Sequence, residues 1–167
     1  PDDDAQADMY LYTVAFLKEH GYEQYEISNY AKKGLECRHN KGYWQRTDYL
    51  GLGLGASSLV DHIRFSNTDN MEEYIKNSGQ PEKIRCDMER LGEADEMAEF
   101  MFLGLRMTEG VSMDVFEEYF GKKIESIYGD VLEKYLSIGM LEKKESRIYL
   151  TRKGIHVSNG IMADFLL

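Results

Sequence analysis

The sequence of 167 residues predicts an α+β protein with a helical C-terminal half. Before residue 68, short apolar and aromatic runs are separated by glycines, which is typical of short strands and turns. After residue 90, apolar residues recur at spacings of three and four, which indicates amphipathic helices. Hydrophobic residues make up 43% of the chain and aromatic residues 12%, which is enough for a buried core.

Charge and cysteine content narrow the class of protein. The net charge of −10 is spread over both halves, so we expect no nucleic-acid partner, because phosphate binding needs concentrated positive charge. No apolar run approaches the roughly 18 residues that a membrane helix requires, and the acidic start "PDDDAQ" is unlike a signal peptide. The two cysteines, Cys37 and Cys86, lie far apart, which fits a reducing compartment and predicts a soluble, cytoplasmic protein. The chain begins with Pro1 rather than Met, which indicates a fragment or a processed form.

The first element is a predicted helix over residues 2–21. Acidic residues favour its N-terminus, and Gly21 is suited to end it. Its apolar stripe at helical spacing consists of Met9, Tyr12, Phe16 and Leu17. The segment "YEQYEISNY" then predicts a short strand with Tyr25 and Ile27 on one face.

A glycine-rich segment follows at residues 48–60. Leu50, Leu52 and Leu54 alternate with glycines, which predicts a buried strand where another group approaches the backbone. A short helix is predicted over residues 69–77, and "NSGQPEK" after it is the best candidate for a linker.

The pattern of the C-terminal half predicts several helices and one hairpin. Residues 91–105 predict the first helix, and Ser112 is a natural N-cap for the second. A third apolar stripe runs to Tyr135, "MLEKKESRIYLT" predicts a hairpin turning near Glu145, and Thr151 caps a last helix. The apolar face of that last helix carries Ile155, Met162 and Phe165. Helices, a hairpin and a final helix together predict a winged-helix-like module.

The motif "GLGLGA", Gly51 to Ala56, loosely matches a dinucleotide fingerprint. That fingerprint needs a helix after the last small residue, whereas "SSLVDHIRFSN" is β-branched and turn-like, so a Rossmann site is not expected. Two interpretations remain open. The glycines belong to a crowded strand, or they let a ligand lie against the backbone.

The motif "ECRHNKGYW" combines a thiol, an imidazole and two large aromatic rings. Cys37 and His39 are two positions apart, which does not match the usual zinc spacings. Non-covalent haem needs only one exposed His or Cys beside an apolar surface, so His39 stays open as a haem ligand and as a structural histidine. Asn40 suits a turn, and Tyr43 and Trp44 suit either the core or a flat surface for a ring.

The hairpin from Glu142 to Lys153 has five basic and two acidic residues, as a DNA-binding wing would. The preceding helix, "IESIYGDVLEKYL", is net acidic, which argues against a recognition helix that faces phosphates. A protein contact or a lid is therefore the favoured role. Adjacent acids such as Glu117 and Glu118 point in different directions on a helix and do not form a catalytic acid–base pair.

Three segments together resemble one family: "GYEQYEISNYAKKGLECRHNKGYW", "YLGLGLGASS" and the terminal "LGLRMTEGVS…FGKKI…LSIGMLEK…IYLTRKG". They are similar to the C-terminal part of HemW-type proteins, the haem chaperones of the radical S-adenosylmethionine superfamily. These chaperones are in turn similar to oxygen-independent coproporphyrinogen III oxidases. The resemblance covers essentially the whole chain, and the three segments occur in the family's order.

The resemblance implies an architecture. Residues 1–80 would be the last segments of an incomplete α/β, TIM-like barrel, which in the family carries a [4Fe–4S] cluster and S-adenosylmethionine. Residues 81–167 would be a helical domain with a winged-helix-like hairpin. The family holds its cluster with C-x₃-C-x₂-C, whereas this chain has only Cys37 and Cys86. We therefore expect no cluster ligand here and no cleavage of S-adenosylmethionine by this chain alone.

The resemblance also implies binding residues. The HN-x-x-YW signature that separates haem chaperones from the oxidases is matched by His39, Asn40, Tyr43 and Trp44. The segment that lines the barrel interior in the family is matched by Gly51, Gly53, Ala56 and Ser57, of which Ser57 would lie near S-adenosylmethionine. No catalytic residue and no metal ligand is implied within this chain.

The first functional expectation is a cytoplasmic protein that binds haem or porphyrin and passes haem to acceptor proteins. The missing N-terminal part of the barrel would be a further partner. One alternative is the oxidative decarboxylation of coproporphyrinogen III to protoporphyrinogen IX, and another is a winged-helix interaction module. Because a partial barrel exposes sheet edges and apolar surface, we also expect a homodimer or a covered edge.

Overall fold

A computed structural model describes residues 2–166, except for the side chains of Asp3 and Asp4. The first half contains α1 (Asp3–Glu19), β1 (Glu23–Gln24), β2 (Tyr30–Ala31), α2 (Arg38–Trp44), β3 (Ser57–Val60), β4 (Ile63–Asn67), α3 (Met71–Lys76), α4 (Pro81–Ile84) and β5 (Arg85–Arg90). The second half contains α5 (Glu93–Gly104), β6 (Val111–Ser112), α6 (Met113–Phe120), α7 (Ile124–Ser137), β7 (Leu141–Lys144), β8 (Arg147–Leu150), α8 (Arg152–His156) and α9 (Ser158–Ala163). The chain thus has a mixed α/β fold, as predicted.

Helix α1 confirms the first predicted element. The Asp2 carboxylate caps it by accepting a hydrogen bond from the Ala5 N–H at 2.9 Å, and Gly21 follows its end with φ of +79°. The predicted apolar stripe exists but faces outward, since Met9 is 61% exposed and Tyr12 is 69% exposed. Helix α1 therefore presents an uncovered apolar face.

The predicted strand after α1 is shorter than expected, because the chain turns back on itself. The buried Glu26 carboxylate accepts hydrogen bonds from the Ser28 N–H at 2.8 Å and the Asn29 amide at 2.6 Å, which closes a turn. Strands β1 and β2 pair antiparallel on either side of this turn.

The prediction of a buried strand over the alternating leucines is wrong. Leu50, Leu52 and Leu54 are 58%, 86% and 40% exposed and lie in a loop. Gly53 and Gly55 have φ of +110° and +66°, and this left-handed geometry breaks the extended run. The strand begins only at β3, after the last of these glycines.

Strands β3, β4 and β5 form an antiparallel sheet in that order. Helix α3 confirms the predicted short helix after β4. The predicted linker leads through α4 directly into β5, which pairs with β4. The sheet therefore contains residues from both sides of the predicted domain boundary at residue 80.

The C-terminal part packs α5, α6 and α7 against a sheet in the order β6-β8-β7. The predicted signals hold: Ser112 caps α6 by accepting from the Val115 N–H, Glu145 has φ of +54° in the hairpin turn, and Thr151 caps α8. The predicted last helix is wrong in one respect, because it is divided at Val157 (φ −118°, ψ 21°) into α8 and α9. The most deeply buried core side chains include Met101, Leu105, Phe116, Ile124, Tyr128, Ile148, Ile161 and Phe165.

In the part of the chain that the structure describes, no helix is both long enough and apolar enough to cross a membrane.

Candidate functional site

Helix α2 carries the predicted HN-x-x-YW residues and turns two of them toward a third ring. His39 and Tyr43 are four positions apart, so they lie on one face of the helix, with ring centroids 4.5 Å apart in an edge-to-face contact. Tyr43 makes a second edge-to-face contact, at 4.6 Å, with Tyr49. The His39 side chain is exposed, while Tyr43 is half-buried. Asn40 lies within the helix and not in the turn that the sequence predicted.

Tyr49 connects this aromatic row to the β3–β4–β5 sheet. Its backbone N–H donates to the Leu59 carbonyl at 2.8 Å, and its carbonyl accepts from the Leu59 N–H at 3.0 Å. Partial burial raises the pKa of the Tyr49 hydroxyl above its ordinary value. Since Leu50 follows Tyr49 directly, the aromatic row lies at the start of the glycine-rich loop.

The glycine-rich loop is held by two buried polar side chains of the sheet. The Gly51 N–H donates to the Ser58 hydroxyl at 3.0 Å, and the Asn67 amide donates to the carbonyls of Gly51 at 3.2 Å and Gly53 at 2.8 Å. A β-carbon on Gly51 would lie 2.2 Å from the Ser57 carbonyl oxygen. The predicted close approach to a glycine therefore exists, and the approaching group is the chain's own backbone.

The other two predicted residues of this segment lie where the loop joins the sheet. The Ala56 carbonyl accepts from the Asn67 N–H at 2.9 Å, and Ser57 begins β3 opposite Ser66 with an exposed side chain. Around Gly53, no atom lies within 4 Å of where a β-carbon would be. The loop surface is therefore open at Gly53 and closed at Gly51.

Trp44 contacts a different part of the molecule. The Arg106 guanidinium lies over the indole ring at 4.3 Å from its centroid, and the same guanidinium is 3.5 Å from the Glu26 carboxylate. Glu26 is fully buried, and the Trp44 indole N–H has no hydrogen-bond partner within residues 2–166. Trp44 thus joins α2 to the segment after α5, which favours the structural interpretation for this residue.

A buried group of charges lies beside Trp44 and was not found in the sequence. Arg46 donates to Glu99 at 3.1 Å and lies 3.6 Å from Glu96, and all three side chains are at most 8% exposed. Arg64 of β4 donates to the other oxygen of Glu99 at 2.5 Å, and the His62 ring contacts Glu96. This group ties the segment after α2, and β4, to α5. No local pattern in the sequence predicts this group, because the hydrogen-bonded partners are 34 to 53 positions apart.

The two thiols do not form a metal site. Cys37 is exposed at the start of α2, Cys86 is half-buried on β5, and both are free. Among the residues that the structure describes, no three His, Cys, Asp or Glu side chains are grouped closely enough to hold a metal ion.

Comparison with known proteins shows which proteins this chain is related to. Residues 91–157 match the family model of the HemN C-terminal domain. The heme chaperone HemW of Lactococcus lactis is 36% identical over 167 residues, which is 100% of this chain and 44% of that protein. The heme chaperone HemW of Bacillus subtilis is 34% identical over 166 residues, which is 99% of this chain and 44% of that protein. The chain is a relative of the HemW-type and HemN-type proteins.

A solved structure agrees with this relationship. The coproporphyrinogen III oxidase HemN from Escherichia coli, described as a radical SAM enzyme, matches with a TM-score of 0.77 at 18% identity. The match covers 99% of this chain and 42% of that one, and at this identity it shows a shared fold. The chain spans less than half the length of its HemW relatives. The family resemblance predicted from the sequence is confirmed.

Proposed function

We propose that this chain is the C-terminal part of a HemW-type haem chaperone, which binds haem and passes it to acceptor proteins. Support comes from similarity, over essentially the whole of this chain, to proteins named heme chaperone HemW in two bacteria. In this proposal haem is the cargo of the protein and not a resident cofactor. No observation on the described residues favours coproporphyrinogen decarboxylation or a free-standing interaction module instead.

We propose the surface formed by α2 and the glycine-rich loop as the haem-binding face. The main support is the contact between Tyr43 and Tyr49, because it joins the HN-x-x-YW residues on α2 to the glycine-rich loop. An exposed imidazole such as that of His39 is a suitable axial ligand for haem iron. Leu50 and Leu52 follow Tyr49 in the sequence, and their exposed side chains supply apolar surface for a porphyrin.

Trp44 has a supporting role in this proposal. Its contact with Arg106 fixes the end of α2, which in turn fixes the face that carries His39 and Tyr43. Asn40 lies one position after His39, and Gly53, Ala56 and Ser57 belong to the loop and the strand that follow Tyr49.

The chain does not fit a [4Fe–4S] cluster. Such clusters are held by three or four thiolates, whereas this sequence contains two thiols, one on α2 and one on β5. We therefore assign neither the cluster nor a reaction of S-adenosylmethionine to these residues. The free thiols are consistent with the cytoplasm as the place of action.

We propose the architecture that the resemblance implied, with a modified boundary. Residues up to β5 are the last segments of an incomplete barrel, and the helices and hairpin that follow form a winged-helix-like domain. The order β6-β8-β7 behind α7 supports the second assignment, and the family match that starts at residue 91 supports a boundary after β5. The exposed apolar face of α1 is where the N-terminal part of the barrel would pack, or a second copy in its absence.

Haem titration of the purified chain tests the proposed function. We expect the Soret band of ferric haem to shift and to saturate at one haem per chain. Leu52→Glu should weaken binding, because it places a charge on the proposed face, while Ile138→Glu, at another exposed apolar position, should not. Binding that never saturates, or that both variants weaken equally, would contradict the proposal.

A further inference from the structure

An open groove of about 680 Å³ lies between helix α7 and the β7–β8 hairpin. Leu132, Leu136 and Ile148 form its apolar floor, and Glu125 and Glu133 are on its rim. Leu132 and Ile148 are also part of the core, so the floor is fixed by packing. The groove is far from α2 in sequence and shares no residue with the proposed haem-binding face.

Three residues of α7 that line the groove lie on one stripe of the helix. Positions 129, 132 and 136 are separated by three and four residues, which is the spacing of one helical face, whereas Glu125 lies before a kink at Tyr128 (φ −116°, ψ 19°). Gly129 begins this stripe directly after the kink. No atom lies within 4 Å of where its β-carbon would be, so packing does not require a glycine there. The missing side chain keeps the groove open.

The rim of the groove is acidic and only partly neutralised. Lys143 donates to Glu125 at 2.9 Å, and this hydrogen bond holds the pKa of that carboxyl below its ordinary value. Asp130 and Glu133 lie three positions apart on α7 and are both exposed. Within residues 2–166 neither carboxylate has a cationic partner at ion-pair distance. Lys143 thus shows that a cation can pair with a carboxylate of this rim. The carboxylates of Asp130 and Glu133 are left without such a partner among the described residues.

We propose that this groove, lined by Glu125, Gly129, Asp130, Leu132, Glu133 and Leu136, docks a short segment of a partner protein that carries Lys or Arg between aliphatic residues. The aliphatic residues would cover Leu132 and Leu136, and the cations would pair with Asp130 and Glu133. The rim repels phosphates, so a nucleic acid does not fit the same surface. Docking in this groove does not depend on haem binding, because the groove shares no residue with the proposed haem-binding face.

A labelled synthetic peptide provides the test. The probe is a fluorescein-tagged decapeptide of alternating leucine and lysine, and binding to the whole chain is followed by fluorescence anisotropy at low salt. We expect saturable binding that Glu133→Lys weakens by about fivefold or more, since the change replaces attraction by repulsion. The control Glu118→Lys makes the same change of charge at an exposed position on α6, outside the groove, and should change the dissociation constant by less than about twofold.

A second variant tests the shape of the groove without changing charge. Gly129→Leu places a side chain in the groove and should weaken peptide binding, while circular dichroism confirms that the chain is folded. Equal losses in Glu133→Lys and Glu118→Lys would overturn the proposal, because the attraction would then come from net charge alone. Equal binding of a peptide with serine in place of leucine would overturn it as well. Concentration-dependent dimerisation that Glu133→Lys abolishes would assign the groove to a second copy of the chain and would also overturn it.

Discussion

Removing Arg46 from the buried charge group should destabilise the protein strongly. The Arg46 side chain is 8% exposed and is shared by Glu96 and Glu99, so Arg46→Met leaves two buried carboxylates without their common cation. Removing one partner of a buried ion pair costs about 3 to 5 kcal/mol. Arg64 still donates to Glu99, and the His62 ring still contacts Glu96, so we expect the lower limit of about 3 kcal/mol. For a chain of this size that lowers the melting temperature by about 6 to 12 °C.

The matched control is an exposed ion pair of the same polarity. Lys122 and Glu93 are 40% and 56% exposed, so Lys122→Met should cost less than about 1 kcal/mol. Urea unfolding at pH 7, followed by circular dichroism and by tryptophan fluorescence, measures both free energies. If Arg46→Met and Lys122→Met lower the free energy of unfolding equally, the argument that burial makes the first group different is refuted. The double variant Arg46→Met/Glu99→Met should recover part of the loss, because it also removes one of the uncompensated charges.

Three further predictions concern single sites. Tyr128 has a buried hydroxyl without a hydrogen-bond partner in residues 2–166, so Tyr128→Phe should leave stability at pH 7 unchanged or raise it. Burial raises the pKa of Tyr128 to about 12, so the wild type should lose stability as pH rises from 10 to 12, and Tyr128→Phe should lose less in thermal scans across that range. Gly51→Ala should lower the free energy of unfolding by about 2 kcal/mol or more, because the new carbon meets the Ser57 carbonyl, while Gly79→Ala, which has no close neighbour, should not. Hydrogen bonds from Lys134 and Tyr135 lower the pKa of Asp164, so stability should fall as pH drops through and below 3.8, and Asp164→Asn should flatten that decline in acid titrations.

The sequence predicted the elements that local chemistry controls. Ser112 and Thr151 cap helices because their hydroxyls satisfy free backbone N–H groups, and this signal is contained in a few neighbouring residues. The prediction from the alternating leucines was wrong because a glycine-rich loop produces the same alternation as a strand. Only the φ angles of Gly53 and Gly55 distinguish the loop from a strand. The break at Val157 has no glycine or proline to mark it, so periodicity continued across it.

The candidate site was predicted only for residues that lie close together in the sequence. His39 and Tyr43 were found because they belong to one short motif, and helical spacing is enough to bring them together. Tyr49 was missed, since its contact with Tyr43 depends on how the chain between them turns. Arg106 and Glu26 were missed because they are 80 positions apart and are linked only by the tertiary fold.

The proposed haem-binding face is tested most directly by comparing two histidines. Ferric haem is titrated into the wild type, His39→Ala and His20→Ala, and the Soret band gives both the affinity and the ligation of the iron. His20 is an appropriate control because it is also exposed and lies at the end of α1, where its ring bonds to the Phe16 carbonyl. We expect that His39→Ala changes the Soret spectrum and weakens haem binding by about tenfold or more, whereas His20→Ala behaves as the wild type. An unchanged spectrum and affinity in His39→Ala would show that His39 does not ligate haem and that the proposed face is wrong.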